Sequence, residues 1–224
     1  MDITYLGHSC FKLKAKDGFS GKPISLLFDP FDPSFVGLPF AKTEADIVTV
    51  SHQHADHNYL DKIAQGYFLI DQPGEYEVRG ISVLGYKVDH DQEKGEKRGK
   101  NNIFVVEAEG CRIAHLGDLG RQLTDHELSD LGVIDVLFLP VGGEYTLDQK
   151  EARDLISKIS PTIAIPMHFM QKGLDEKNFI DLKTLESFLG MCQGLKQEVM
   201  DKYSVAKCRT EGVEPSIVIL QRKG

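Results

Sequence analysis

Ser51-His52-Gln53-His54-Ala55-Asp56-His57 puts three histidines and one aspartate into seven residues, in the pattern His-x-His-x-Asp-His. Imidazole nitrogen and carboxylate oxygen are both zinc ligands, and four packed this tightly can serve two metal ions. Before the motif, Asp46-Ile-Val-Thr-Val-Ser51 is a short apolar run rich in β-branched residues and reads as a buried strand. After it, residues 58–65 carry apolar side chains at helical spacing, with Asn58 as an N-cap. The motif is therefore expected on a strand-to-helix loop. His52 and His54 lie two apart, so an extended chain points them the same way and lets them grip one metal. Asp56 and His57 lie where the chain turns and can reach a second.

Two metals need more than four ligands. His168 follows the apolar run Thr162-Ile-Ala-Ile-Pro-Met167 and stands at the C-terminal end of that strand, where ligands of α/β sheets gather. Asp118 opens the loop after the strand Arg112-Ile-Ala-His-Leu116, and a carboxylate there could bridge two metals. His90 and His115 compete for one place. His115 and Asp118, three apart on one strand, should face opposite sides, which favours His90 at the start of a polar loop. His126, in a polar helical turn, reads as solvated.

The 224 residues suit one domain, 1–224, with a sizeable core. No apolar run approaches a membrane span, and no signal peptide is expected before Met1-Asp-Ile-Thr4. Cys10, Cys111, Cys192 and Cys208 are widely spaced and read as reduced thiols, which points to the cytoplasm. The net charge of −8 lacks the electrostatic footprint of a nucleic-acid binder. The basic stretch 94–100 is interleaved with glutamate and glycine and reads as a solvated loop; because it follows His90 directly, a role beside the metals stays open.

Along the chain, residues 3–14 and 24–28 read as a hairpin turning at Asp17-Gly18. A Pro- and Phe-containing loop follows at 30–45. Three strands are expected between 67 and 89, then a hairpin of 102–108 with 112–116 turning at Glu109-Gly110. Strand 134–139, helix 148–159, strand 162–165, helix 179–191 and strand 216–221 complete an α/β pattern in which two sheets are plausible.

With these residues in place, the chain resembles the metallo-β-lactamase superfamily. His52, His54, Asp56 and His57 match its signature, His90 its third motif, Asp118 its bridging aspartate and His168 its last histidine. The interval from His90 to Asp118 is typical of that family, whereas His115 would be far too close. Leu6-Gly7-His8-Ser9, Phe28-Asp29-Pro30, Arg98-Gly-Lys-Asn101 and Pro166-Met-His168 are similar to the small single-domain branch that includes ascorbate-6-phosphate lactonase and the phospholipase D acting on N-acyl-ethanolamine phospholipids. The resemblance implies a four-layer αββα sandwich with two Zn2+ at one edge, Mn2+ or Fe2+ being alternatives. It assigns His52, His54 and His90 to one metal, Asp56, His57 and His168 to the other, and Asp118 to both. It implies supporting roles for His8, Asp29 and His115.

The expected chemistry is hydrolysis of an ester, lactone or phosphodiester by a metal-activated hydroxide, with Asp56 and Asp118 as the catalytic carboxylates. An iron-dependent oxidoreductase of the persulfide dioxygenase type is the alternative enzyme, and a metal-dependent nuclease a further one. The nuclease is disfavoured because only 50 residues separate Asp118 from His168, leaving no room for a nucleic-acid-gripping insert. A non-catalytic metal-binding module is disfavoured by the completeness of the ligand set. A small-molecule substrate is expected, no nucleic acid, and no membrane span; a homo-oligomer is compatible with the sequence. Tyr145, in the loop 142–147, is a candidate hydrogen-bond donor to the substrate.

Overall fold

The computed structural model describes residues 1–205 and 214–223. In chain order its elements are β1 (Asp2–Gly7), β2 (Cys10–Lys16), β3 (Pro23–Phe28), α1 (Pro33–Val36), β4 (Ile47–Thr49), β5 (Phe68–Ile70), β6 (Gly74–Val78), β7 (Ile81–Asp89), β8 (Lys100–Ala108) and β9 (Cys111–His115). They continue with α2 (Asp125–Leu131), β10 (Val136–Pro140), α3 (Gln149–Ile159), β11 (Ile163–Met167), α4 (Leu185–Met191), β12 (Lys196–Met200), β13 (Tyr203–Ser204) and β14 (Ser216–Leu220). One sheet runs β13-β1-β2-β3-β4-β5 and the other β12-β14-β11-β10-β9-β8-β7-β6.

Alternating side chains join the layers. In β2, Phe11, Leu13 and Ala15 face the inter-sheet core while Lys12, Lys14 and Lys16 turn outward. In β8, Phe104 and Val106 enter that core, whereas Ile103 and Val105 face the opposite way, toward the helices. Phe11 and Phe138 stack across the two sheets with ring centroids 4.2 Å apart. The outer layer on the second sheet packs Leu131 of α2, Leu155 and Ile156 of α3 and Phe188 of α4 against Leu137 and Ala114. The outer layer on the first sheet is thinner: α1 and loop residues such as Phe40, Leu174 and Leu182 cover Leu27 and Val48. This is the expected αββα sandwich.

The topology sets the site. β3 and β4 run parallel with Phe28 level with Thr49. In the second sheet β9, β10 and β11 are also parallel, with His115 level with Phe138 and Pro140 with Met167. Parallel strands end together, so Asp29, the histidine motif, Asp118 and His168 all leave the sandwich at one edge.

Several local expectations are revised. Residues 58–65 form no helix: Tyr59 N–H donates to the Pro30 carbonyl, Ala64 N–H to Thr43, and Thr43 N–H to Lys62, so pairing with the loop at 30–45 takes the hydrogen bonds a short helix would need. The expected helix 179–191 starts only at Leu185, because Lys183 N–H donates to Gly142, Met170 N–H donates to Lys183, and Thr184 caps the helix. Residues 3–14 are two strands folded back on one another, with Gly7 opposite Cys10. Cys111 is disulfide-bonded, contrary to the reduced state expected of it. Cys10 and Cys192 are free and buried, and Cys208 lies outside the described residues.

Candidate metal centre

Asp118 stands at the centre. Its Oδ2 lies 3.1 Å from His168 Nε2, 3.5 Å from His90 Nε2 and 4.0 Å from His52 Nε2, and its Oδ1 lies 3.2 Å from His57 Nε2. A second carboxylate, Asp56, places Oδ2 3.5 Å from His57 Nε2 and 3.9 Å from His168 Nε2. His54 is the exposed member; its ring lies 4.4 Å from that of His52 and 5.2 Å from that of His90, centroid to centroid. The seven side chains expected to bind metal are thus brought together. Within the cluster, His52, His54 and His90 offer nitrogens within 4.8 Å of one another, and so do ligand atoms of His8, Asp56, His57 and His168.

Each side chain is delivered by a strand end. His8, Asp29 and His168 have φ of 54°, 42° and 51°, a region that residues other than glycine rarely adopt. Such kinks turn the chain sharply off β1, β3 and β11 and aim the side chains inward. Gly117 (φ 53°) makes the corresponding turn after β9, and a Cβ there would meet Asn101 Oδ1 and Ser51 Cβ. Asn101 holds the adjacent loop from both sides: its Nδ2 donates to the Leu116 carbonyl at 2.8 Å and its Oδ1 accepts from Asp118 N–H at 3.0 Å.

Hydrogen bonds fix the imidazoles. Asp29, fully buried, accepts from Ser51 N–H at 2.8 Å, Ser51 Oγ–H at 2.6 Å and His57 Nδ1–H at 2.7 Å. With its one proton committed to Asp29, Ser51 Oγ accepts from His52 Nδ1 at 2.9 Å. Both His52 and His57 therefore commit Nδ1 to a hydrogen bond and face the cluster with Nε2, the nitrogen a metal would take once it is free of a proton. His8 Nε2 donates to Asp56 Oδ2 at 3.0 Å, a carboxylate being able only to accept. His115 is not available as a ligand: its Nε2 donates to the Ser9 carbonyl at 2.9 Å and its Nδ1 accepts from Gly117 N–H at 3.1 Å, while its ring stacks on Phe28. It holds the Gly117 turn, a supporting role. His126, by contrast, is exposed on α2 and pairs with Asp130.

His52 Nε2, His57 Nε2 and Asp118 Oδ1 are buried without a hydrogen-bond partner. Unpaired buried polar atoms are costly, and these come from one triplet whose ligand atoms lie within 4.8 Å of one another. A divalent cation satisfies them together, so the donor set fits. Burial works to raise the Asp118 carboxyl, but the imidazoles of His168 and His57 outweigh it and hold it well below the usual range. Burial likewise lowers His57, yet Asp118 and Asp56 outweigh that and raise it well above an ordinary histidine. Burial, reinforced by His57, keeps His52 well below the ordinary value and hence neutral.

The sequence reading left Ser51 and Asn101 without roles. Asn101 lies in the Arg98-Gly-Lys-Asn101 stretch already singled out, which was the available signal; for Ser51 only its place beside His52 pointed to it. Tyr145 lines the cavity above the cluster, its hydroxyl 3.5 Å from the Asn178 carbonyl.

Two sheets face to face, with imidazoles and carboxylates gathered at one edge, define a metal-binding αββα sandwich. The chain belongs to the metallo-β-lactamase superfamily, residues 2–168 matching the family described as the beta-lactamase superfamily domain. A UPF0173 metal-dependent hydrolase from Methanocorpusculum labreanum is 30% identical over 195 residues, covering 75% of this chain and 83% of the relative. One from Pyrococcus abyssi is 28% identical over 196 residues, covering 75% and 84%. A crystal structure from Thermotoga maritima, provisionally assigned as a Zn-dependent hydrolase of the same superfamily, superposes with a TM-score of 0.75 at 34% identity, covering 98% of this chain and 99% of that one. Among the described residues no helix is long and apolar enough to cross a membrane.

Proposed function

We propose that the protein is a dinuclear metal hydrolase, with zinc as the metal, that cleaves an ester, lactone or phosphodiester bond of a small molecule. The observation that carries this is the convergence of four imidazoles on the Asp118 carboxylate, with three of the donor atoms buried and unpaired. The description of the relatives as metal-dependent hydrolases supports it. In this reading His52, His54 and His90 would hold one ion and Asp56, His57 and His168 the other, with Asp118 available to both. The ions would supply Lewis acidity toward the substrate and lower the pKa of a shared water toward neutrality. The protein's own part is to set the donors. Asp29 and Ser51 lock the tautomers of His57 and His52. His8 steadies Asp56, leaving that carboxylate placed to orient the attacking water. Asn101 fixes the backbone that carries Asp118.

Anaerobic purification followed by elemental mass spectrometry should return about two zinc ions per chain, and lactone, thioester and bis-aryl phosphodiester substrates should reveal turnover. Asp118→Ala should lose at least one ion and lower turnover by about 10²-fold or more. Full metal content and normal activity in that variant would refute the assignment, and iron in place of zinc would favour the oxidoreductase alternative.

A further inference from the structure

Among the described residues, Arg98 is the one Lys or Arg side chain that lines the cavity over the candidate metal centre. One cavity, of about 350 Å3, lies over Asp56, His90, Asp118 and His168 and is walled by Phe35 and Phe179. A second, of about 320 Å3, runs along His52 and His54 to Lys87. Arg98 lines both, as do Gln53 and His54. Its guanidinium carbon lies 4.7 Å above the centre of the Tyr145 ring, and that ring meets His168 edge-on at 6.5 Å. One aromatic ring therefore separates the charge from a cluster histidine.

Two features show that Arg98 is held in place. The buried Asp91 carboxylate accepts four backbone N–H groups of the following loop: Glu93 at 2.8 Å, Gly95 at 2.8 Å, Lys97 at 3.1 Å and Arg98 itself at 2.8 Å. The loop is closed by His90 N–H donating to Gly99, so its base is the backbone of a cluster histidine. Stacking on Tyr145 then fixes the side chain. Yet among the described residues no carboxylate pairs with this guanidinium, although the chain carries a net charge of −8. The neighbouring cations behave differently: Lys100 pairs with Asp89 and Lys97 with Glu93. A rigidly presented planar fork of donors, left unpaired on a cavity wall, suits a carboxylate or phosphate.

We propose that Arg98 anchors the substrate, and that the substrate carries an anionic group, a carboxylate or a phosphate, beside the bond cleaved, with an apolar portion against Phe35 and Phe179. This rests on the hydrolase reading above and narrows its substrate class. Phe35 and Phe179 meet edge-to-face at 5.8 Å and form an apolar wall, while Arg98 and Tyr145 supply the polar one.

Binding separates this proposal from catalysis. Metal-loaded wild type, Arg98→Gln and Arg98→Lys are titrated calorimetrically with butyrate, glutarate and 4-phosphonobutyrate, with metal content counted in each. Wild type should bind at least one of the two-headed anions about fivefold or more tighter than butyrate. Whichever is favoured identifies the headgroup. Arg98→Gln should bring the ratio close to one while retaining its metals, and Arg98→Lys should recover part of it. A wild-type ratio of one, or a ratio unchanged in Arg98→Gln, overturns the proposal. Metals bound and the ratio as expected, but no ester, lactone or phosphodiester turned over, would instead count against the hydrolase reading and leave Arg98 an anion anchor.

Discussion

Asp29 shows how much of this site depends on residues that would touch no metal. Its carboxylate is buried and takes three hydrogen bonds, two from Ser51 and one from His57. Burial tends to raise its pKa, but the flanking His115 and His57 and the Ser51 hydrogen bond more than compensate, and it stays ionised. Asp29→Asn would replace one acceptor oxygen with a donor facing Ser51 or His57, freeing an imidazole to change tautomer. Metal affinity should fall by about 10- to 100-fold, read by competition with a chromophoric chelator. An unchanged affinity would mean that the relay from Asp29 to the imidazoles does not tune the site. At this scale the sequence was legible where chemistry is local. Four candidate ligands share one loop, and His90, Asp118 and His168 each follow a recognisable strand. Ser51 and Asn101 were illegible because serine and asparagine abound in turns, and their roles lie in bonds to partners 22 and 17 residues away.

Elements were legible where their pattern was strong. β2 alternates, β8 is a short apolar run buried on both faces, α3 carries an apolar stripe, and each reads directly. β12, Lys196-Gln-Glu-Val-Met200, was missed because an edge strand need not alternate: it is paired on one side only, by β14. α2, read only as a polar turn, is secured by its ends. Thr124 and Glu127 form a capping box, and Glu127 also takes both Nη groups of Arg121, whose Nε reaches Asp89 at the end of β7. That network ties α2 to the strand that leads into His90. The Arg121 hydrogen bonds, partly opposed by burial and aided by Thr124, hold Glu127 down at about 2. A carboxyl with a folded pKa below its unfolded one stabilises the fold above the unfolded value, near 4.5, and loses that contribution as pH falls toward about 2. Glu127→Gln should therefore cost about 1–2 kcal/mol at pH 7, the site being partly solvated, and less than half of that at pH 3. Urea denaturation of both proteins at the two pH values checks this; a gap as wide at pH 3 as at pH 7 would show that ionisation of Glu127 is not its source.

For the molecule as a whole, the sequence conveyed the class of fold and the chemistry of its edge, while the strand order stayed hidden. Pairings such as β14 between β11 and β12, or β13 against β1, join segments distant in sequence, and no local pattern encodes them. That long-range assembly would make a metal held by this cluster a stability element as well as a reactive one. His8 comes from the first sheet's β1, the histidine motif follows β4 of the same sheet, and His90, Asp118 and His168 come from the second. A cation bound among them pins the two sheets together at one edge. Without it, buried donor atoms of both sheets stay unpaired, and His57 is driven to carry a proton between Asp118 and Asp56. Binding that favours only the folded chain stabilises it by mass action, about 4 kcal/mol for one site at a thousandfold excess over the dissociation constant. For a chain of this size each kcal/mol moves the midpoint by about 2–4 °C, so one tightly held ion should raise Tm by about 8–16 °C. Calorimetry of the chelated protein, before and after zinc is restored, measures the shift. Equal midpoints would mean that the edge cluster binds no ion tightly enough to hold the sheets, and the reading of this edge as a metal centre would fall with it.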